Sequence, residues 1–533
     1  MLLLVAVALV LVVALRAPAL ALWLAVGLAA LACAVVRPEI LCYALPVAVT
    51  LDSALVLPVG GLRAGPTDVL VGALVAGWVI RAGRAWRWPT GTDAAAKATA
   101  SATSAIWRRA LAGIRTAFQR ERAAALLVAG LALYLGVILL SGAVAISRAL
   151  VLKETLKWGE VLVVVLLGAN LLRQPARQRI ATWVMLAAGT AEALLAYGQW
   201  VFAVGAVGAT GESLRVVGTF GQPNPFAAYL NLALPLALAL ALLVRDPRVR
   251  WPAATAALLL LGAQELAGSR GGLLGLAAGV AVMLIVALGI ERPALGIAVG
   301  GGALAALAWV TGILPAALQQ RALHALRLDG VSLTGPLNDA NFSAVERLAH
   351  WVAGLRMVRA HPLLGVGAGN YDPAYARYHV PGWNLSLGHA HNYYINAAAE
   401  TGLIGLAIFL FLTGAMLYAA WQAARRMDHR DPAAQASEQP DGRPDGTRGD
   451  IAGALWGYLQ ARWGRLRGLA AEGTPFAYAI ALGLLGTLVA LAVHNLVDDA
   501  FVHGIALQVG LGLALVVALL RGPAPADTPT TRP

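Results

Sequence analysis

Histidine, asparagine and tyrosine side chains are concentrated in the stretch "GHAHNYYINAAAETGLIGL", residues 388–406, at the start of an apolar run. If a helix begins at Asn392, Gly402 and Gly405 lie roughly 20° and 40° from the direction of His391 around the helix axis. This spacing predicts that His391 caps a glycine stripe, along which a neighbouring helix can pack closely. Near a helix N-terminus a histidine is favoured in its neutral form, which can accept a proton, and the same position attracts phosphate.

Two other interpretations of this stretch stay open. His391 could be an interfacial hydrogen-bonding residue, with Tyr393 and Tyr394 as aromatics of the membrane belt. His389 and His391 could also bind a metal ion if the stretch were extended, but no third ligand stands at a characteristic spacing. We therefore predict no metal and no other cofactor.

Two arginines precede predicted membrane spans on the same side as these histidines. Arg215 stands in "ESLRVVGTFGQPNPFAAYL", and Arg270 stands in "AGSRGGLLGLAAG", at a turn so short that its guanidinium must lie at the outer edge of the membrane. Arginine near hydrocarbon is costly and is usually paired or functional. Two guanidinium groups can hold a diphosphate through bidentate hydrogen bonds, whereas the alternative is that each side chain snorkels to lipid headgroups.

Two further motifs lie in predicted outer segments. "HNLVDDAFVHG", residues 494–504, contains Asp498, Asp499 and two histidines, and an aspartate here could orient an acceptor hydroxyl or a histidine. Asp498 and His494 are the acceptor-side candidates, and the alternative is that the segment is only a solvated turn. "HPLLGVGAGNY", residues 361–371, follows no βαβ pattern, so a dinucleotide site is disfavoured. A flexible turn that lays the loop over the membrane is the prediction for the second motif.

The elements that must position these residues are membrane-spanning helices. The chain has 533 residues, of which 59% are hydrophobic and only 13% charged, and its mean hydropathy is +0.72. Soluble proteins carry about 25% charged residues. Apolar runs of spanning length occur near 2–15, 18–36, 40–57, 67–80, 123–143, 150–172, 180–206, 225–244, 251–268, 271–290, 293–318, 396–420, 476–496 and 503–520. The fold class predicted is an all-α polytopic membrane protein with about 12–14 transmembrane helices and a large extracytoplasmic loop.

Charge agrees with this topology. The formal net charge is +13, but the basic residues cluster in short loops between apolar runs, which excludes a nucleic-acid partner and fits accumulation on the cytoplasmic side. Eight of the nine histidines then fall on the outer side. The two cysteines, Cys33 and Cys42, are predicted to be packing residues.

The chain is thus predicted to divide into eight regions. They are N-terminal transmembrane helices (1–80), a basic cytoplasmic loop (81–122), a transmembrane core with Arg215 and Arg270 (123–318), a large extracytoplasmic loop (319–395), a transmembrane helix (396–424), a cytoplasmic loop (425–475), C-terminal transmembrane helices (476–520) and a disordered tail (521–533).

Four runs of the sequence resemble the O-antigen ligase and O-antigen polymerase superfamily. They are "RVVGTFGQPNPFAAYL", "GSRGGLLGL", "ERLAHWVAGLRMVRAHPLLGVGAGNY" and "HAHNYYINAAAETGLIGL". His391-Asn392 followed after nine residues by Gly402-x-x-Gly405 fits the ligase pattern, and Arg270 with Leu274 fits its Arg-x-x-x-Leu element. The resemblance extends from about residue 120 to 520.

The resemblance implies a multi-pass glycosyltransferase of the inner membrane with its site facing the periplasm, acting in lipopolysaccharide or other polysaccharide biosynthesis. The donor would be a glycan on undecaprenyl diphosphate, and the acceptor a hydroxyl of lipid A-core. His391 matches the family's general base, Arg215 and Arg270 match the arginines that hold the diphosphate, and His389 and Asn392 are expected beside the substrate. No metal and no nucleotide are implied.

Three alternatives share these motifs. The acceptor could be a growing glycan, which makes the protein a repeat-unit polymerase, or a protein hydroxyl, which makes it an O-oligosaccharyltransferase. A transporter of lipid-linked sugars would also use arginines, but it has no need of a histidine-rich outer loop and is expected to show paired broken helices in two halves. An enzyme is therefore favoured over a transporter. In every case membrane lipids are expected to surround the protein.

Overall fold

A computed structural model describes residues 18–53, 55–59, 62–84, 121–205, 214–290, 331–338, 341–428 and 476–523, with the single residues 320 and 460. These ranges leave out the predicted spans 2–15 and 293–318, His324, most of the two loops predicted to be cytoplasmic and nearly all of the predicted C-terminal tail.

The described part of the chain contains fourteen helices and one short hairpin. In chain order they are α1 (Pro18–Val36), α2 (Glu39–Leu51), β1 (Leu57–Val59), β2 (Leu62–Ala64), α3 (Pro66–Arg84), α4 (Arg122–Ser141), α5 (Arg148–Leu171), α6 (Pro175–Phe202), α7 (Pro223–Leu243), α8 (Pro247–Ala267), α9 (Arg270–Leu288), α10 (Phe342–Ala360), α11 (Tyr371–Tyr378), α12 (Tyr393–Met427), α13 (Phe476–His494) and α14 (Ile505–Arg521). The strands pair antiparallel, with Pro58 opposite Arg63.

Seven of these helices are long and apolar enough to cross a membrane, namely α3, α4, α6, α7, α9, α12 and α13. Shorter apolar helices lie within α1, α2 and α14. The prediction of a polytopic helical membrane protein is thus confirmed. The ends of most described helices lie within about five residues of the predicted ones. The span predicted over 40–57 is wrong at its C-terminal end, because α2 ends at Leu51 and the hairpin follows.

The core of the bundle is built by helices that are apolar on every side. α7 packs against α8 and α13, α13 packs against α9, and α14 packs against α5. Nearly every side chain of α7, α13 and α14 is buried, as expected for helices without a polar face. The candidate functional site lies at the end of this core where α7, α9 and α12 begin and α13 ends.

The break in α12 corrects the predicted glycine stripe. The helix begins at Tyr393, and Gly402 interrupts it with φ 71° and ψ −175°, so His391, Gly402 and Gly405 do not follow one helical face. A Cβ on Gly402 would lie 2.1 Å from the carbonyl oxygen of Leu363. The glycine therefore permits close contact with the 361–371 loop.

The 361–371 loop is hydrogen-bonded to the carbonyls that the break in α12 exposes. The amides of Val366 and Gly367 donate to the carbonyls of Ala399 and Glu400, each at 2.9 Å, and the amide of Leu403 donates to Pro362 at 2.8 Å. Gly365, Gly367 and Gly369 all have positive φ, which glycine adopts without steric cost. The sequence motif therefore builds a tight docking turn.

Candidate functional site

His391 is held at the start of α12 by its own neighbours. Its φ of 51° is in the left-handed region, an uncommon conformation for a residue with a side chain and one that concentrates at functional sites. Asn392 forms the N-cap, since its Oδ1 accepts from the amide of Ile395 at 3.0 Å. The Nδ2 of Asn392 donates to the carbonyl of Leu496 at 2.7 Å. Asn392 thus joins this stretch to the turn after α13.

Asp498, on that turn, faces His391. The Nδ1 of His391 lies 3.2 Å from Oδ1 of Asp498, and the two side chains are 15% and 7% exposed. The amide of Asp499 also donates to this oxygen, at 2.9 Å. Burial opposes ionisation of Asp498, but the hydrogen bond from His391 and the surrounding imidazoles outweigh it and hold its pKa well below its usual range. Asp498 is therefore a carboxylate that accepts Nδ1–H of His391.

The other ring nitrogen of His391, Nε2, is buried and has no hydrogen-bond partner within the described ranges. With the proton fixed on Nδ1 by the carboxylate, the lone pair of the neutral ring is on Nε2. An unpartnered acceptor at a buried position costs free energy unless a ligand satisfies it. The arrangement leaves one buried ring nitrogen of His391 available to a ligand.

Other side chains of residues 341–391, the outer segment, surround His391. Trp351 donates its Nε1–H to the carbonyl of His391 at 3.2 Å, and the ring of His350 lies edge-on to His391 with centroids 5.5 Å apart. The Nδ1 of His389 accepts the amide of His391 at 3.1 Å. Burial lowers the pKa of His350 to about 4, aided by the two neighbouring histidines, so His350 is neutral at physiological pH. Sequence reasoning did not select His350 or Trp351 as site residues, although each stands three or four residues before Gly354 in the same helix.

His389, His391 and Asp498 offer three ligand atoms that all lie within 4.8 Å of one another. Sequence spacing could not identify Asp498 as the third member of this group. Nδ1 of His389, Nδ1 of His391 and Oδ1 of Asp498 already hydrogen-bond within the group and to the backbone. The donor set therefore fits a hydrogen-bonded acid–base pair with a neighbouring imidazole.

His494 connects this centre to the helix that carries Arg270. It is buried at the end of α13. A Cβ added to Gly271 would lie 3.9 Å from Nε2 of His494 and 2.6 Å from Cγ2 of Val497. Glycine at 271 thus allows the N-terminus of α9 to reach the turn that holds Asp498. The exposed Arg270 is the first residue of α9, and Ser269 forms the N-cap by accepting from the amide of Gly272 at 3.2 Å.

Arg215 lies beside the same turn between α8 and α9. Its Nε donates to the carbonyl of Ala267 at 2.9 Å and its Nη2 to that of Gly268 at 3.2 Å. Because Gly268 is two residues before Arg270, the turn brings both arginines to one place. A Cβ on Gly268 would lie 3.3 Å from Nε of Arg215. Residues 55 positions apart in sequence thus share one turn.

The segment after Arg215 is fixed by polar side chains of α6. Oε1 of Gln199 accepts the amides of Val217 and Gly218, at 3.0 and 2.9 Å, and Nε2 donates to the carbonyl of Gly218 at 2.8 Å. The carboxylate of Glu192 accepts the amide and the hydroxyl of Thr219, each at 3.0 Å. Irregular backbone among membrane helices needs such partners, so α6 positions the segment that carries Arg215. Sequence reasoning did not select Gln199 or Glu192, since neither has a distinctive spacing.

Comparison with known proteins supplies the family. Residues 255–410 match the family model described as O-Antigen ligase. No curated protein matches the chain. The matched range contains Arg270, His389, His391 and Asn392, while Arg215, His494 and Asp498 lie outside it. Members of this family use lipid-linked glycans and glycan acceptors in general. The match over residues 255–410, on a multi-pass helical fold, supports an O-antigen ligase or polymerase type of membrane enzyme.

Proposed function

We propose that this protein transfers a glycan from undecaprenyl diphosphate to a hydroxyl group of lipid A-core at the periplasmic side of the inner membrane, without a metal ion. The family supports the class of reaction. The observation that carries the detailed proposal is the pairing of His391 with Asp498, which leaves Nε2 of His391 buried and without a partner in the described part of the chain.

His391 acts as the general base. Its Nε2 takes the proton of the acceptor hydroxyl while the hydroxyl oxygen forms a bond to the anomeric carbon of the donor sugar. Asp498 accepts Nδ1–H of the ring at 3.2 Å and stabilises the imidazolium that forms. Because the acceptor attacks directly, the anomeric configuration is inverted. A product with the donor's configuration would contradict this step.

Arg215 and Arg270 act on the leaving group. The bond between the anomeric carbon and the diphosphate oxygen breaks as the acceptor attacks, and negative charge grows on the diphosphate. Guanidinium groups aimed at this charge stabilise the transition state. The α8–α9 turn gathers both arginines, and Gly271 lies against the turn that carries Asp498. This proximity supports a leaving-group site next to the base.

The charge distribution supports a periplasmic position for the site. At the opposite end of the bundle lie the basic residues Arg173, Arg177, Arg179, Arg245, Arg248, Arg250, Arg425, Arg426 and Arg521. Lysine and arginine accumulate on the cytoplasmic side of membrane proteins. In the periplasm there are no nucleotide sugars, so a donor activated by its own diphosphate meets the chemical need.

The test uses purified protein in nanodiscs with an undecaprenyl-diphosphate oligosaccharide. Separate reactions contain lipid A-core, a second donor molecule or a hydroxyl-bearing protein, and His391→Ala and Arg270→Lys run beside the wild type. We expect transfer to lipid A-core, loss of transfer with donor binding retained in His391→Ala, and a large loss in Arg270→Lys, since lysine lacks the planar fork.

Each other outcome changes the proposal. Transfer only to the second donor would identify a polymerase, and transfer only to the protein would identify an O-oligosaccharyltransferase. Donor binding without transfer to any acceptor would favour a transporter. Near wild-type turnover of Arg270→Lys would mean that Arg270 contacts lipid headgroups rather than the donor.

A further inference from the structure

Helix α10 places a third arginine beside the site. Arg347, His350 and Trp351 are spaced i, i+3 and i+4, so they share one face of the helix. Two of these three side chains contact His391 directly: the His350 ring lies edge-on to its imidazole, and Trp351 donates to its carbonyl. One turn further along α10, a Cβ on Gly354 would lie 2.7 Å from Ile395 and 3.7 Å from Ala390. The face that carries Arg347 is therefore the one that covers the His391 stretch.

The guanidinium of Arg347 is only partly satisfied. Its Nη1 donates to the carbonyl of Ser343 at 3.3 Å, while Nε is buried and has no hydrogen-bond partner among the residues described. None of the ion pairs found in the described part of the chain includes Arg347. A guanidinium has five N–H donors and keeps its charge, and leaving a buried donor unpaired costs free energy. An anionic ligand would satisfy both the donor and the charge.

The surroundings of Arg347 place it near both halves of the site. Its positive charge is among the influences on the pKa of His389, which burial chiefly lowers, and its field also reaches His494. His494 in turn lies against Gly271 at the N-terminus of α9. The charge of Arg347 thus acts on His389, beside His391, and on His494, which lies against the start of the helix that carries Arg270.

We propose that Arg347 binds a phosphate group of the lipid-linked donor and so forms, with Arg215 and Arg270, a set of three arginines from three separate elements. The inference rests on the proposed function only in that the donor carries a diphosphate. Arg347 belongs to the outer segment, so donor binding would also hold α10 against the His391 stretch. Phosphate recognition and orientation of the base would then depend on the same helix.

Binding experiments in nanodiscs of uncharged lipid test this assignment. The probes are undecaprenyl diphosphate without a glycan, undecaprenol and lipid A-core. The variants are Arg347→Gln, Arg347→Lys and, as a matched control, Arg359→Gln at an exposed position in the last turn of the same helix. We expect Arg347→Gln to weaken binding of undecaprenyl diphosphate by about tenfold or more, since a hydrogen bond to a charged group is lost. Arg347→Lys should retain part of the affinity, and Arg359→Gln should bind like the wild type.

The outcomes separate this inference from the proposed function. Wild-type affinity of Arg347→Gln for undecaprenyl diphosphate would overturn the assignment, and so would a loss confined to lipid A-core. An equal loss for undecaprenol would also overturn it, because undecaprenol has no phosphate. Unchanged unfolding temperatures for all three variants exclude misfolding as the cause of any loss. If wild-type protein binds the diphosphate through Arg347 but transfers no glycan, the proposed function fails while this assignment stands.

Discussion

Nδ1 of His391 lies 3.2 Å from Oδ1 of Asp498, although 107 positions separate the two residues in the sequence. The contact depends on the packing of α12 against α13, which brings the start of one helix to the end of the other. The amide of Tyr393 donates to the carbonyl of Asn495 at 2.9 Å and so fixes this approach through the backbone. The pair is thus held by main-chain contacts that do not depend on its own side chains.

Asp498→Asn should lower kcat about 100-fold or more, because the amide no longer stabilises the imidazolium and can favour the wrong tautomer of His391. The KM for the donor should change little, since Asp498 does not contact the diphosphate in the proposed arrangement. Steady-state kinetics with the lipid-linked donor measure both constants. A rise in KM at unchanged kcat would contradict an orienting role.

Gly271→Ala should reduce turnover about tenfold through displacement of the Asp498 turn, because its Cβ would lie 2.6 Å from Cγ2 of Val497. Val497→Ala removes the clashing methyl group, so the double variant should recover most of the activity. The double-mutant cycle measures this coupling. A double variant as impaired as Gly271→Ala alone would show that the contact does not transmit the effect.

Gly402→Ala and Gly414→Ala compare two glycines of α12. At Gly402 φ is 71° and a Cβ would meet the Leu363 carbonyl, whereas a Cβ at Gly414 meets no atom within 4 Å. We expect Gly402→Ala to lower the free energy of unfolding by at least about 2 kcal/mol and Gly414→Ala to raise it by up to about 1 kcal/mol. Thermal unfolding in detergent gives both values. Equal midpoints for the two variants would contradict the docking role of the break.

The stability of the outer segment should fall as the pH drops from about 6.5 towards 4. Burial lowers the pKa of His350 to about 4 in the folded protein, so the unfolded chain binds the proton first as the pH falls. The free energy of unfolding is therefore highest above the pKa that His350 has in the unfolded chain. It decreases as the pH falls below that pKa. The contribution of one histidine has a slope of at most about 1.4 kcal/mol per pH unit. His350→Phe keeps an aromatic ring against Tyr375 and should reduce the slope. The same slope in wild type and variant would assign the effect to other groups.

Chelation of divalent ions should leave glycan transfer unchanged. Nδ1 of His391 is hydrogen-bonded to Asp498, and Nδ1 of His389 accepts a backbone amide, so an ion bound at these two atoms would have to displace their existing partners. Turnover before and after treatment with EDTA checks this expectation. Loss of activity with EDTA and its return on addition of Zn²⁺ or Mg²⁺ would contradict it.

The apolar runs of the sequence determined the membrane class and the ends of most helices. A segment that crosses a bilayer must have a certain length and must contain few charged residues, and both properties can be read from one sequence. The short turn before Arg270 could be predicted for the same reason. The family resemblance also followed from the sequence, since four short runs and their spacing carry it, and the match over residues 255–410 confirms it.

Only the tertiary structure decided which side chains meet. The glycine stripe below His391 was a wrong prediction, because it assumed an unbroken helix and Gly402 breaks α12 to receive the 361–371 loop. Asp498 contacts His391, and Arg215 donates to a carbonyl of the turn just before Arg270. Both contacts join residues that are far apart in the chain. Such contacts depend on how whole helices pack, and no periodicity within one segment encodes that packing. The sequence therefore determined the residue types available for chemistry, and helix packing determined their pairing.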